Sequence, residues 1–151
     1  MGKQIFTTLC YVEQDGKYLM LHRTKKEQDI NKGKYIGIGG HLEHGESPDE
    51  CILREAYEET GLRLKNPKLR GLITFVIDDM DEYTFLYTCK DFSGEIHECD
   101  EGELKWVSKD SLDKIPLWEG DKVFLPMLDE REDFFTIKLV YENDRLVEIR
   151  K

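Results

Sequence analysis

The chain has 151 residues with a formal net charge of −10, and 39% of its residues are hydrophobic and 36% charged. Such a length fits one domain, 1–151, with a real core, and the aliphatic and aromatic content argues against disorder. The acidic balance argues against gripping nucleic acid or an anionic membrane through the overall field, but leaves open a small anionic ligand whose charge is offset locally by Lys, Arg or metal ions. In chain order, Ile5 to Val12 is rich in β-branched and aromatic residues. It is followed by the turn signal Gln14-Asp15-Gly16-Lys17 and the apolar run Tyr18 to Leu21, which predicts two antiparallel strands. Thr24 to Lys34 is polar and reads as an exposed loop. Arg23, Lys25, Lys26, Lys32 and Lys34 make this region basic, either as a solvated face or as a surface for polyphosphate.

Ser47-Pro48-Asp49-Glu50 combines an N-cap serine, proline at the first helical position and glutamate three residues after the cap. With Gly61 as a stop, it predicts a helix over 48–60. Strands are expected over Leu69 to Ile77, Tyr83 to Cys89 and Leu104 to Val107, with a turn at Ser93-Gly94. Ser108 to Lys114 reads as a short capped helix, and Lys122 to Glu130 as a longer one interrupted or bent near Pro126. Phe134 to Tyr141 and Arg145 to Ile149 flank Glu142-Asn143-Asp144 as a closing hairpin. Strands interleaved with two substantial helices give an α/β or α+β class. The four cysteines, Cys10, Cys51, Cys89 and Cys99, show no CxxC spacing, and no run resembles a signal peptide or a membrane span. A cytoplasmic chain with reduced thiols is expected.

The stretch from Gly40 to Leu62 reads GHLEHGESPDECILREAYEETGL. On the expected helix Glu55, Glu58 and Glu59 stand at i, i+3 and i+4, so they share one face and repel one another unless a cation binds or the face is well solvated. A hard divalent ion with oxygen ligands would reverse that penalty. The bland reading is an acidic solvated helix in which Arg54 pairs with Glu58. The register of Gly40, Glu46, Arg54, Glu55, Glu58, Glu59 and Gly61, with Ala56 and Leu62 at apolar positions, resembles the Nudix box. That resemblance implies a mixed curved β-sheet sandwiched between helices, and a Mg²⁺-dependent (or Mn²⁺-dependent) hydrolase of nucleoside diphosphate derivatives. It implies that Glu58 and Glu59 are metal ligands together with the Gly39 carbonyl, and that Arg54 orients a carboxylate. Glu55 would be a ligand or the general base, roles that several neighbouring glutamates, Glu58 included, could fill.

Beyond the box, IFTTLCYV, LMLHRTKK, GKYIGIGGHLEHGE, DEGELKWV, LWEGDKVF and FFTIKLVYENDRL are similar to MutT-like 8-oxo-dGTP diphosphatases, including the bacterial MutX type and the mammalian homologue. By that resemblance Glu101 completes the metal site, although Glu98, Asp100 and Glu103 offer neighbouring registers. Arg23 and the basic loop would contact phosphates. Trp118 would stack on the purine and Asp121 would read its edge; otherwise they are a core aromatic and a helix N-terminal charge. Phe75 either lines the base pocket or belongs to the core. Ile36 stands where the mammalian relative has an asparagine that reads the base, and His41 where a lysine is usual. The expected activity is hydrolysis of a nucleoside triphosphate, oxidised dGTP foremost, to monophosphate and pyrophosphate. Rivals are another (d)NTP, ADP-ribose or a dinucleoside polyphosphate as substrate, or a non-catalytic nucleotide sensor. The partner implied is a small nucleotide, with no nucleic acid or membrane, in a monomer or weak homodimer.

Overall fold

The structure, a computed structural model, describes residues 2–25 and 31–151, so Lys26 of the basic loop lies outside the described residues. The opening hairpin forms as its turn signal predicts. β1 (Lys3–Gln14) and β2 (Lys17–Arg23) are joined by Asp15 and Gly16, both at positive φ, the combination that matches the twist of paired strands. β3 (Tyr35–Ile36) pairs with β2. Helix α1 (Pro48–Thr60) begins on a reciprocal capping box: Ser47 Oγ accepts from the Glu50 amide at 3.1 Å, and Glu50 Oε1 accepts from the Ser47 amide at 2.9 Å. It ends at Gly61, left-handed at φ 84°, whose N–H returns to Tyr57 O.

Then follow β4 (Arg63–Lys65), β5 (Lys68–Ile77), β6 (Met80–Cys89), β7 (Asp91–Ser93) and β8 (Gly102–Ser108). Lys109–Lys114 is a 3₁₀ turn rather than an α-helix, capped by Ser108 as expected. Helix α2 (Asp121–Glu130) runs without interruption although Pro126 lies inside it, which corrects the interrupted alternative of the expectation. Its buried Phe124, Leu125, Met127 and Leu128 offset the backbone bond that Pro126 cannot make. β9 (Phe135–Glu142) and β10 (Arg145–Arg150) form the closing hairpin around Asn143 and Asp144, both at positive φ.

Among the described residues the main sheet runs β10-β9-β5-β6-β1-β2-β3, with β8 also on β2, and β4 and β7 form a separate ribbon. β1 pairs parallel with β6 and β5 parallel with β9, and the other ladders are antiparallel. The sheet is thus mixed and carries helices on both faces, as expected.

Alternation along β1 assigns its side chains to the two sides. Cys10 and Val12 join Ile52 and Ala56 of α1 in one core, and Tyr11 joins Phe124, Leu125 and Leu128 of α2 in the other. The four cysteines are buried and unbridged. No helix among the described residues is long and apolar enough to cross a membrane.

Candidate active site

The carboxylate face of α1 meets the loop before it. A groove of about 610 Å³ is lined by Gly39, Gly40 and His41 on one side, Glu55, Glu58 and Glu59 on another, and Glu98, Asp100 and Glu101 before β8. Gly40 leaves room for the Glu55 side chain: a Cβ there would lie 2.5 Å from the Glu55 carboxylate carbon. At Gly39 a Cβ would meet the Thr8 carbonyl oxygen at 1.9 Å.

Arg54 is the hub of the helix face. It donates to both oxygens of Glu46, to Glu55 Oε1 at 2.8 Å, to Glu58 Oε2 at 3.1 Å and to the His41 carbonyl at 3.2 Å. The bonding of Glu46 to Arg54, followed by the bond from the Glu43 amide, holds the Glu46 carboxyl at a pKa of about 2. Glu59 moves the other way. Burial pushes its pKa up, and the negative charges of Glu55 and Glu101 add to the shift, while an N–H bond from Gly39 at 3.2 Å opposes it.

Glu98, Asp100 and Glu101 of the acidic loop all line the groove, and of these Glu101 is the one whose charge adds to the Glu59 shift. The Glu101 carboxylate is paired to Arg23 at 3.1 Å, so Arg23 sits at this carboxylate. Among the described residues no three acidic, Cys or His side chains already converge in a cage around one point. The donor chemistry nevertheless fits a hard cation. The groove offers carboxylate oxygens, and the Gly39 carbonyl accepts no hydrogen bond among the described residues, while those of Ile38 and Gly40 are taken by the Cys10 and Thr8 amides.

A second cavity, of about 330 Å³, lies on the α2 face of the sheet and shares Gly39, Gly40 and His41 with the groove. Trp118, Asp121, Phe75 and Ile36 all line it. Trp118 is fixed by an Nε1–H bond of 2.6 Å to Asn31 Oδ1, by an edge contact with Tyr141, and by the Lys34 ammonium 4.5 Å from its ring centre. Phe75 packs on the core and also lines the cavity. Asp121 is 6% exposed, and its carboxylate has no hydrogen bond among the described residues. Burial raises its pKa to about 7. Tyr11 also lines the cavity. Its hydroxyl is buried without a partner, and its pKa is raised by burial and then by the Asp121 charge.

The NUDIX domain family matches residues 4–128, a span that holds the groove and all of the cavity lining except Tyr141 and Asp144. The chain belongs to this family. Among similar Nudix proteins is the hydrolase YvcI of Bacillus subtilis, 32% identical over 76% of this chain and 72% of its own length. An oxidized purine nucleoside triphosphate hydrolase of Danio rerio is 27% identical, covering 93% of this chain and 90% of that one. The crystal structure of a MutT protein from Bacillus halodurans superposes with a TM-score of 0.87 over 97% of this chain and 96% of that one, at 28% identity.

Within this Nudix fold, sequence reasoning missed several cavity residues: Thr7, Tyr11, Asn31, Glu82 and Thr84. Alternation along the first strand would have set Thr7 and Tyr11 on one face. No local signal marks Glu82 and Thr84, which arrive through the parallel β1–β6 ladder. Glu46 was recognised by its place in the box, but its two-point bond to Arg54 was not foreseen.

Proposed function

We propose that this Nudix hydrolase cleaves a nucleoside triphosphate to the monophosphate and pyrophosphate, with an oxidised purine nucleotide such as 8-oxo-dGTP as substrate and Mg²⁺ or Mn²⁺ as cofactor. The observation that carries this reading is the shared wall: an aromatic cavity and a carboxylate groove meet at Gly39, Gly40 and His41, so one nucleotide spans both. The named activity of the Danio rerio relative supports the substrate class.

In this reading the base lies against the Trp118 indole beside Phe75, and Asp121 faces its polar edge. An aromatic face gives stacking, and a carboxyl near its titration point can serve as acceptor or donor. The triphosphate crosses the glycine wall toward the groove. Glu58, Glu59, Glu55, Glu101 and the Gly39 carbonyl are the oxygen donors that would hold the metal. When bound, the ion neutralises polyphosphate charge and lowers the pKa of the attacking water. Glu55 or Glu58 takes the proton of that water as its oxygen bonds to phosphorus and the anhydride oxygen leaves. Arg54 positions both carboxylates, and Arg23 positions Glu101.

A screen of pyrophosphate and phosphate release tests the substrate. Oxidised and normal (d)NTPs, ADP-ribose and dinucleoside polyphosphates are compared with and without Mg²⁺. Selective, metal-dependent pyrophosphate release from 8-oxo-dGTP is expected. A preference for ADP-ribose or a dinucleoside polyphosphate would move the assignment within the family, and no turnover of any of them would favour a nucleotide sensor.

A further inference from the structure

The floor of the cavity holds a carboxylate that the reaction above leaves unused. Glu82 on β6 is half-buried and faces the cavity together with Thr7 on β1 and Thr84 two residues further along β6. The parallel ladder pairs Thr7 with Thr84 and Ile5 with Glu82, so the three polar side chains rise from one patch of sheet. The Thr7 hydroxyl donates to Glu82 Oε2 at 2.8 Å. Thr84 Oγ1 stands 2.8 Å from Thr7 Oγ1 and 3.4 Å from the same Glu82 oxygen. Thr7 is 6% and Thr84 2% exposed, so these bonds are shielded from water and hold the carboxylate in one orientation. The second oxygen, Oε1, makes no hydrogen bond among the described residues. An ionised carboxylate accepts about four hydrogen bonds, so this one keeps acceptor capacity for a ligand.

Its position suits a nucleoside. On one side Glu82 is paired across the ladder with Phe75, whose ring meets that of Tyr141, the edge partner of Trp118. On the other side Thr7 bridges to His41 of the glycine wall. The carboxylate thus lies between the aromatic end and the wall leading to the groove. Its charge repels phosphate from this patch and favours neutral hydrogen-bond donors.

We propose that Glu82, held by Thr7 and Thr84, is a specificity determinant that accepts a hydrogen bond from the nucleoside portion of the substrate, from either a sugar hydroxyl or an exocyclic amino group of the base. The proposal rests on the reading that the cavity takes a nucleoside.

Calorimetric titration with nucleoside monophosphates tests it without turnover or metal. The probes are dGMP, the 2′,3′-dideoxy analogue lacking the sugar hydroxyl, and dIMP lacking the 2-amino group. Wild type is expected to bind dGMP roughly tenfold or more tightly than one of the two analogues, the usual scale for a lost bond to a charged group. That gap should collapse in Glu82→Met and shrink in the near-isosteric Glu82→Gln, which serves if the methionine variant fails to fold. The analogue whose gap collapses identifies sugar or base as the donor. Equal binding of all three probes by wild type, or a gap that survives in the folded variants, would overturn the proposal. Wild type binding none of the monophosphates would instead sink the nucleoside reading of the cavity.

Discussion

Arg54 and Glu46 meet side by side, with Nε 2.7 Å from Oε2 and Nη2 3.0 Å from Oε1. This two-point contact ties the loop before α1 to the middle of the helix and leaves Nη1 for Glu55 and Glu58. The planar guanidinium makes the geometry possible, and a lysine ammonium cannot reproduce it.

Arg54→Lys should therefore keep the fold while loosening Glu55 and Glu58. A fall in kcat of roughly 10–100-fold is expected, the range seen when the groups that orient metal-site residues are lost. Steady-state pyrophosphate release with circular dichroism as a fold control measures this, and an unchanged kcat would remove Arg54 from the positioning role.

The two glycines of the wall should respond differently to alanine. At Gly40 the added methyl meets the far end of the flexible Glu55 side chain, which can swing away. Gly40→Ala should accordingly fold with a near-normal Tm and lose activity through the displaced carboxylate. At Gly39 the methyl meets the Thr8 backbone carbonyl, so Gly39→Ala should lower Tm by several degrees. Thermal unfolding and turnover of both variants check the contrast; equal Tm losses would contradict it.

Asp121 should make stability depend on pH. Its folded pKa is about 7, raised by burial above the ordinary 3.8. Below the unfolded value both states hold the proton and there is no penalty. As pH rises toward 7 the unfolded chain gives up the proton first, so the folded state is progressively destabilised, by on the order of a few kcal/mol once above 7. The nearby phenols stay protonated in this window, Tyr141 being pushed up to about 12 by burial and Tyr11 raised as well. Asp121→Asn should raise Tm at pH 8 more than at pH 4. Equal gains at the two pH values would contradict the buried-carboxyl reading.

Helix α1 was legible because its start, stop and carboxylate spacing are all local: Ser47, Glu50 and Gly61 cap it, and Glu55, Glu58 and Glu59 follow from helical periodicity. The first hairpin was legible for the same reason, through Asp15-Gly16. The choice of Glu101 as a candidate ligand came from resemblance, since nothing local separates it from Glu98 or Asp100. The two-residue β3 and three-residue β4 and β7 are too short to show a period. Parallel pairing of β1 with β6 joins residues more than 70 positions apart, so the Thr7, Glu82 and Thr84 patch could not be read from the chain. At α2, Pro126 outweighed the apolar face in the sequence reading, while in the fold burial of that face prevails.

The claim that the groove is a metal-dependent hydrolytic centre meets its most direct test in one assay. Pyrophosphate release from 8-oxo-dGTP under saturating Mg²⁺ is compared among wild type, Glu58→Gln and Glu59→Gln, each checked for folding. Robust, chelator-sensitive turnover by wild type and a loss of roughly 100-fold or more in at least one folded variant is the expected result. Undiminished turnover in both variants would contradict it.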